Sequence, residues 1–451
     1  MKRKNKRKKL NLKKILIIII IILMILCIYK TIDFFIKQTG IIEASSQVEE
    51  ILRVVEKNKH ASVSRYIVYG THLNLEGNMQ IAGDNQIKKA EVVAKDVSGE
   101  EIAIDSEYTY EDNLLSFSTL KEINTGLNLE NLNVIDYYLL LKVEFANNET
   151  KYYSLSNDTE YGNIEYYTLT RNNTNNKINI NFGTLENIPV FRLNITTVKE
   201  LPEDVYDVVV DPGHGGNDSG AISGKYIESD IVLDCAKRLK TGLEAIGLKV
   251  LLTRDGTESE EDYTTYNIYD EDGRVTMANE SHAKILISLH MNSNEEYISE
   301  GGIEVYAAPN SDLTLAKLLA DNIVEVANTQ YSQNESDKEL EGVYVRTIEL
   351  DEYINNRNSS SNNYHGIFDS IPYLYIIREI GGIATGAYVD GSDSNYSANK
   401  YRNSNVGVEG YLIELGYINV REDLNHVLRN KELYVKGIVN SINTFYEIEQ
   451  K

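Results

Sequence analysis

The chain opens with an unbroken apolar stretch, residues 15–29, behind lysines and arginines concentrated in residues 2–14. Positive charge is retained on the cytoplasmic side of a membrane, so this order predicts that the rest of the chain emerges outside the cell. The stretch is short for a full span, but residues 31–36 extend it, and no small-x-small cleavage signal follows at once. Leu26 precedes Cys27 where a lipid-attachment signal needs a small residue. The expectation is a cytoplasmic segment over residues 1–14 and an uncleaved transmembrane anchor over 15–37, with a cleaved signal and release to the cell wall as the alternative.

Beyond the anchor the pattern changes twice. Residues 38–62 are polar apart from an amphipathic piece over 48–55, and predict a linker or stalk. Residues 63–200 follow a period of two: Leu139, Leu141, Val143 and Phe145 alternate with Leu140, Lys142 and Glu144, and Ile178, Ile180 and Phe182 with Asn179 and Asn181. Asn147-Asn148-Glu149-Thr150 supplies a turn between two such runs. A small all-β, sandwich-like domain is expected, acting as a spacer or as a module for a wall or protein partner.

After Leu201-Pro202, apolar strand runs alternate with helical stripes, which predicts an α/β domain over residues 201–451 with a mostly parallel sheet covered by helices on both faces. The strand runs are residues 205–210, 248–253, 285–289, 303–306 and 411–415. Ser229 is placed to cap a helix whose Ile231, Cys235 and Leu239 share a face, and Gly247 to end it. Leu315, Leu319, Ile323 and Val326 form a second stripe, and Val435, Val439, Ile442 and Tyr446 a closing one. In such sheets functional groups gather at the C-terminal ends of the strands.

Composition narrows the class. The net charge of -23 is reached despite the basic N-terminus, so the body of the chain is more acidic still, which disfavours nucleic acid as a partner. The two cysteines, Cys27 and Cys235, lie in different segments and predict no intradomain disulfide; Cys235 sits on a helix stripe and reads as packing. With no tryptophan, any stacking on sugar falls to Tyr or Phe.

Candidate chemistry stands at three strand ends. Residues 208–210 run into Asp211-Pro212-Gly213-His214-Gly215-Gly216, residues 286–289 into His290, and residues 412–413 into Glu414. Strand ends of one parallel sheet lie on one edge, so these side chains can converge. Glu228, just before the expected helix, is a fourth group. Two imidazoles and a carboxylate suit a catalytic zinc, since three protein ligands leave one tetrahedral position for water. Asp211 is a candidate acceptor for a ligand's other ring N–H. Glu414, flanked by Leu412, Ile413 and Leu415, needs a metal, a cation or a proton if its strand is buried.

These segments, with Ile287-Ser288-Leu289-His290-Met291-Asn292-Ser293 and Leu412-Ile413-Glu414-Leu415-Gly416-Tyr417-Ile418-Asn419, resemble the signature of zinc-dependent N-acetylmuramoyl-L-alanine amidases of the bacterial cell wall. Thr253-Arg254 and Arg274-Val275-Thr276-Met277-Ala278-Asn279 fit the same pattern, and the resemblance covers roughly residues 204–449. It implies that His214, Glu228 and His290 bind zinc, that Glu414 is the catalytic glutamate, and that the substrate is peptidoglycan, cut between the lactyl group of N-acetylmuramic acid and L-alanine. Two other readings remain open: a zinc carboxypeptidase acting on stem peptides, and a non-catalytic wall-binding or regulatory protein.

The chain departs from a minimal amidase pattern in two inserts. One, between about residues 329 and 373, includes the Asn/Ser-rich residues 355–363; the other, 381–409, is hinged at Gly381-Gly382 and carries Tyr388, Tyr396 and Tyr401. The second is expected to be a lid or substrate-gripping loop. His282 falls where relatives often carry an acidic residue and is expected to be structural. His60, His72, His365 and His426 lack a motif and are expected to be exposed or capping, and Arg254 and Arg378 to form structural ion pairs.

Overall fold

A computed structural model describes residues 51–82, 86–120, 125–159, 162–257, 273–294, 301–308, 311–336, 340–349, 365–366, 370–372, 374, 376–377, 384–385 and 408–448. The expected anchor over residues 15–37 lies outside them, as do Cys27, Arg378, residues 355–363 and nearly all of the 381–409 insert. Among the described residues no helix is long and apolar enough to cross a membrane.

The period-two segment folds as expected into strands, but all twelve join one hydrogen-bonded sheet. Alternate residues of its strands, among them Val63, Leu73, Val92, Leu139, Leu141, Ile180 and Phe191, meet in one core. The expected linker ends before residue 62. A first strand runs Val55–Tyr69, and Ile51 and Leu52 are already buried. The cause is that the strand Tyr137–Phe145 is buried on both faces at its start: Ile51 packs with Tyr138 and Val190, and Leu52 with Val93, Leu140 and Ile188.

The second domain is built on six strands: β1 (Val208–Pro212), β2 (Val250–Leu252), β3 (Ile285–Asn292), β4 (Glu304–Ala307), β5 (Val343–Tyr344) and β6 (Glu409–Tyr417). Their order is β2-β1-β3-β6-β4-β5, parallel throughout except for the β6–β4 pair. One face packs on α1 (Glu228–Ala245), α3 (Leu313–Ala327) and α4 (Arg421–Phe445). On the other, Val209, Leu286 and Leu412 meet Ala278 of α2 (Arg274–Glu280) together with Ile376 and Ile377. The strands are therefore apolar on both sides, which is why they read as continuous hydrophobic runs.

The two domains meet at the N-terminal ends of these strands. Thr170 N–H donates to Asp207 Oδ1 at 2.7 Å, Leu169 joins the α/β core, and Tyr167 meets His282 edge to face. Lys284, just before β3, is 1% exposed, with its Nζ 3.9 Å from the centre of the Tyr166 ring. Burial pushes its pKa down to about 8 against the opposing pull of Glu130 and Asp207. Glu409 opens β6, where Gly70 of the β-rich domain packs against its side chain.

Candidate metal centre

β1, β3 and β6 run parallel, so their C-terminal ends share one edge, opposite the domain junction. His214 lies two residues beyond β1, while His290 and Glu414 are direct register partners on β3 and β6. Glu228 arrives by another route. The chain leaves β1, forms a short hairpin of Ile222–Ser223 with Tyr226–Ile227, and enters α1 with Glu228 as the first helical residue. This corrects the expected Ser229 cap: Ile227 holds the cap position without a side-chain bond, and the glutamate sits in the first turn, where the helix dipole favours an anion.

The structure brings His214, Glu228 and His290 together, with one donor atom from each within 4.8 Å of the others. Glu228 Oε1 lies 3.1 Å from His214 Nε2 and 3.2 Å from His290 Nδ1. Backbone N–H groups pin both oxygens, Met291 donating to Oε1 and Ala221 to Oε2, each at 2.9 Å. Burial alone would raise the Glu228 pKa, but its bonds and charge interactions with the two histidines outweigh this and hold it well below the carboxylate range. Gly220 makes the approach possible: at φ +63° its Cβ would fall 2.6 Å from the His214 ring and 2.7 Å from Glu228 Oε2.

The residues fit a zinc ion. Bonds of about 2.0–2.2 Å in a tetrahedral site set donors ~3.3 Å apart, close to the two separations between Glu228 and the histidines. Beside them lies a cavity of about 160 Å³ lined by His214, His290, Asp218, Leu374, Ile376, Leu412 and Glu414. Glu414 Oε2 is buried without a hydrogen-bond partner. A buried carboxylate oxygen left so is costly, and a proton or a bound polar group in this cavity answers it. Burial first, then the negative charges of Glu228 and Glu304, raise the Glu414 pKa well above its usual value.

Residues 208–444 match the N-acetylmuramoyl-L-alanine amidase family. The chain belongs to this family. It is 32% identical over 143 residues to N-acetylmuramoyl-L-alanine amidase LytC of Bacillus subtilis, covering 32% of this chain and 27% of that protein. To the germination-specific N-acetylmuramoyl-L-alanine amidase of the same organism it is 29% identical over 151 residues, 32% of this chain and 62% of that protein. The chain thus spans less than two thirds of either relative. The solved amidase AmiC2 of Nostoc punctiforme aligns with 54% of this chain and 98% of its own at 22% identity, with a TM-score of 0.36.

In this family member Asp211 does not support a histidine, contrary to the sequence expectation. Its carboxylate accepts from Thr253 Oγ1 at 2.5 Å and Ser288 Oγ at 2.7 Å and pairs with buried Arg274. The reason lies in the pleat: Asp211 and His214 are separated by the turn out of β1, and Asp211 stays among the strands. The acceptor for His214 is Asp218, missed in the sequence, with Oδ2 2.8 Å from Nδ1. Its only signal was an acid four residues after a histidine in a glycine-rich loop. Arg254 donates to the carbonyls of Pro212, Gly213 and Ser229, a structural role made through carbonyl oxygens.

The side chain of His365 lies outside the described residues, and four other histidines make contacts elsewhere or face solvent. His282 is turned to φ 53° and packs on Tyr167, His72 Nδ1 meets Thr71 Oγ1 at 3.0 Å, His426 Nδ1 meets Tyr434 Oη at 3.1 Å, and His60 is exposed. Cys235 is buried, which pushes its thiol up to about 12 and leaves it unreactive packing.

Proposed function

We propose that the chain is a zinc-dependent peptidoglycan hydrolase that cuts the amide between N-acetylmuramic acid and L-alanine. The observation that carries this reading is Glu414, whose unpartnered Oε2 belongs to a residue lining the same cavity as His214 and His290, two of the three residues of the cluster. His214, Glu228 and His290 would hold the ion. Zinc, when bound, polarises a carbonyl and lowers the pKa of water towards neutrality.

The chain's own groups supply the rest. Glu414 lines the cavity beside His214 and His290, where it is placed to take a proton from the attacking water and return it to the departing amine. Asp218 holds the His214 ring so that Nε2 faces the site, and the Met291 and Ala221 amides hold Glu228 against rotation. Leu374, Ile376 and Leu412 give the cavity an apolar wall, which strengthens electrostatic interactions within it. The basic-then-apolar N-terminus supports placing this unit outside the cell, tethered to the cytoplasmic membrane.

Mass spectrometry of purified wall after digestion tests the bond assignment. The reading requires muropeptides with free L-alanine amino termini. Release of single amino acids marks a carboxypeptidase, and an unaltered wall a binding protein.

A further inference from the structure

Glu304, on β4, is given no ligand or proton-transfer role above, yet it is a carboxylate with 0% exposure. Four neutral groups saturate its oxygens. Tyr306 Oη donates to Oε2 at 2.6 Å and Asn292 Nδ2 to Oε2 at 3.0 Å; Tyr417 Oη and Asn334 Nδ2 each donate to Oε1 at 2.7 Å. Burying a carboxylate on neutral partners is expensive, and an apolar residue in a strand otherwise lined by valine and tyrosine would avoid the cost.

The partners show what the carboxylate does. Glu304 is the antiparallel register partner of Glu414, so the two side chains share a face of the sheet. On the other side of β6, Glu414 pairs with His290, but the next pair is Asn292 with Tyr417. Two residues of β3 are thus matched by three of β6, a bulge that places Leu415 and Gly416 opposite Met291. Gly416 takes φ +142° to make it. An uninterrupted strand would return residue 416 to the face of Glu414; the bulge returns Tyr417 instead. Glu304 then binds both residues that close the bulge, Asn292 from β3 and Tyr417 from β6. Asn334, itself held by Tyr344 Oη at 2.9 Å, also donates to Tyr417 Oη at 2.9 Å. Bulges beside active sites re-aim neighbouring side chains.

We infer that Glu304 is a positioning residue that clamps the bulge after Glu414 and so fixes where the Glu414 carboxylate stands relative to the metal ligands. The inference rests on the proposed role of Glu414. It assigns Glu304 no contact with substrate and no share in holding zinc.

The test compares Glu304→Gln, Tyr417→Phe and Glu414→Gln in the full chain, measuring zinc content, zinc affinity by chelator competition, and kcat and KM on solubilised peptidoglycan. A small misplacement of a reacting group costs on the order of 10²-fold in rate. Glu304→Gln is therefore expected to keep zinc affinity and KM within about twofold while kcat falls about 10- to 100-fold, a split that marks transition-state alignment. Tyr417→Phe, which leaves the carboxylate in place, should lose roughly 3- to 10-fold in kcat by the same argument. Wild-type kcat in Glu304→Gln, or zinc affinity falling in step with kcat, overturns the inference. If Glu304→Gln does not fold, wild-type kcat in Tyr417→Phe overturns it. An inactive Glu414→Gln beside fully active Glu304→Gln and Tyr417→Phe refutes this inference alone, whereas an active Glu414→Gln refutes the proposed function beneath it.

Discussion

His214 Nδ1 lies 2.8 Å from Asp218 Oδ2, and the other ring nitrogen, Nε2, lies 3.1 Å from Glu228 Oε1. One carboxylate thus sets the rotation and tautomer of a histidine whose free nitrogen faces the cluster. Supporting acceptors of this kind typically contribute 10- to 100-fold in metal affinity. Asp218→Asn should weaken zinc binding by about that factor while leaving the thermal midpoint of the metal-free protein nearly unchanged. Competition with a chromophoric chelator measures the first and calorimetry the second; unaltered affinity would show that His214 needs no such support.

The Asp211–Arg274 pair is a separate device. Both residues are buried, and Arg274 also donates to the carbonyls of Pro212 and His214, tying α2 to the turn that carries the histidine. Burial favours a raised pKa for Asp211, but Arg274, Thr253 and Ser288 hold it below its usual value. Removing one member of a buried pair costs about 3–5 kcal/mol because the other charge is left uncompensated. Arg274→Met should therefore lower unfolding stability by several kcal/mol on that scale, and a double change with Asp211→Asn should recover part of the loss. Denaturant titration of the three variants decides it.

At the domain junction, Glu130 accepts from Tyr166 Oη at 2.8 Å and from Leu169 N–H, while Lys284 lies over the Tyr166 ring. Glu130, Tyr166 and Leu169 belong to the β-rich domain and Lys284 to the α/β domain. A fragment of residues 201–451 leaves Lys284 and Asp207 without their cover and uncovers the core that Leu169 completes. It should unfold at lower temperature than the full chain, and Lys284→Met should recover some of that difference. Equal midpoints for fragment and full chain would show that the junction contributes nothing to stability.

Glu409 gives stability a pH dependence. Burial, opposed by the Tyr411 hydroxyl and reinforced by Asp312, pushes its pKa up to about 8 from an ordinary carboxylate value. With the folded pKa above the unfolded one, the contribution is complete below about pH 4.5 and is lost as pH rises through about 8, stability falling by ~1.4 kcal/mol for each pH unit between the two values. Glu409→Gln should therefore match the wild type near pH 5 and exceed it in thermal midpoint near pH 8. A constant difference between variant and wild type across that window contradicts the assignment.

Parts of this structure were legible in the sequence for definite reasons. Continuous apolar runs ending in His214, His290 and Glu414 marked strand ends on one edge, and the spacing of Glu228 placed it at a helix start. Asp218 was invisible because it lies in a glycine-rich loop without periodicity. Glu304 was read as part of an apolar strand, since its neighbours Ile303, Val305 and Tyr306 outweigh one carboxylate. The twelve-stranded pairing depends on long-range partners such as Val55–Tyr69 beside Thr150–Asn157, in parallel, which local alternation does not encode. Likewise, nothing in the run around residues 48–55 announced that Ile51 and Leu52 would be covered by residues as distant as Val93, Tyr138, Leu140, Ile188 and Val190.

His214, Glu228, His290 and Glu414 act together only if they form one catalytic zinc centre. The wild-type full chain and Glu414→Gln are therefore to be compared for bound zinc and for release of L-alanine amino termini from purified peptidoglycan. Both proteins should hold one zinc per chain, and the variant should lose about 10²- to 10⁴-fold in rate, the usual worth of a general base. Wild-type rates in the variant, or undiminished digestion by a protein stripped of its metal, would contradict a shared centre.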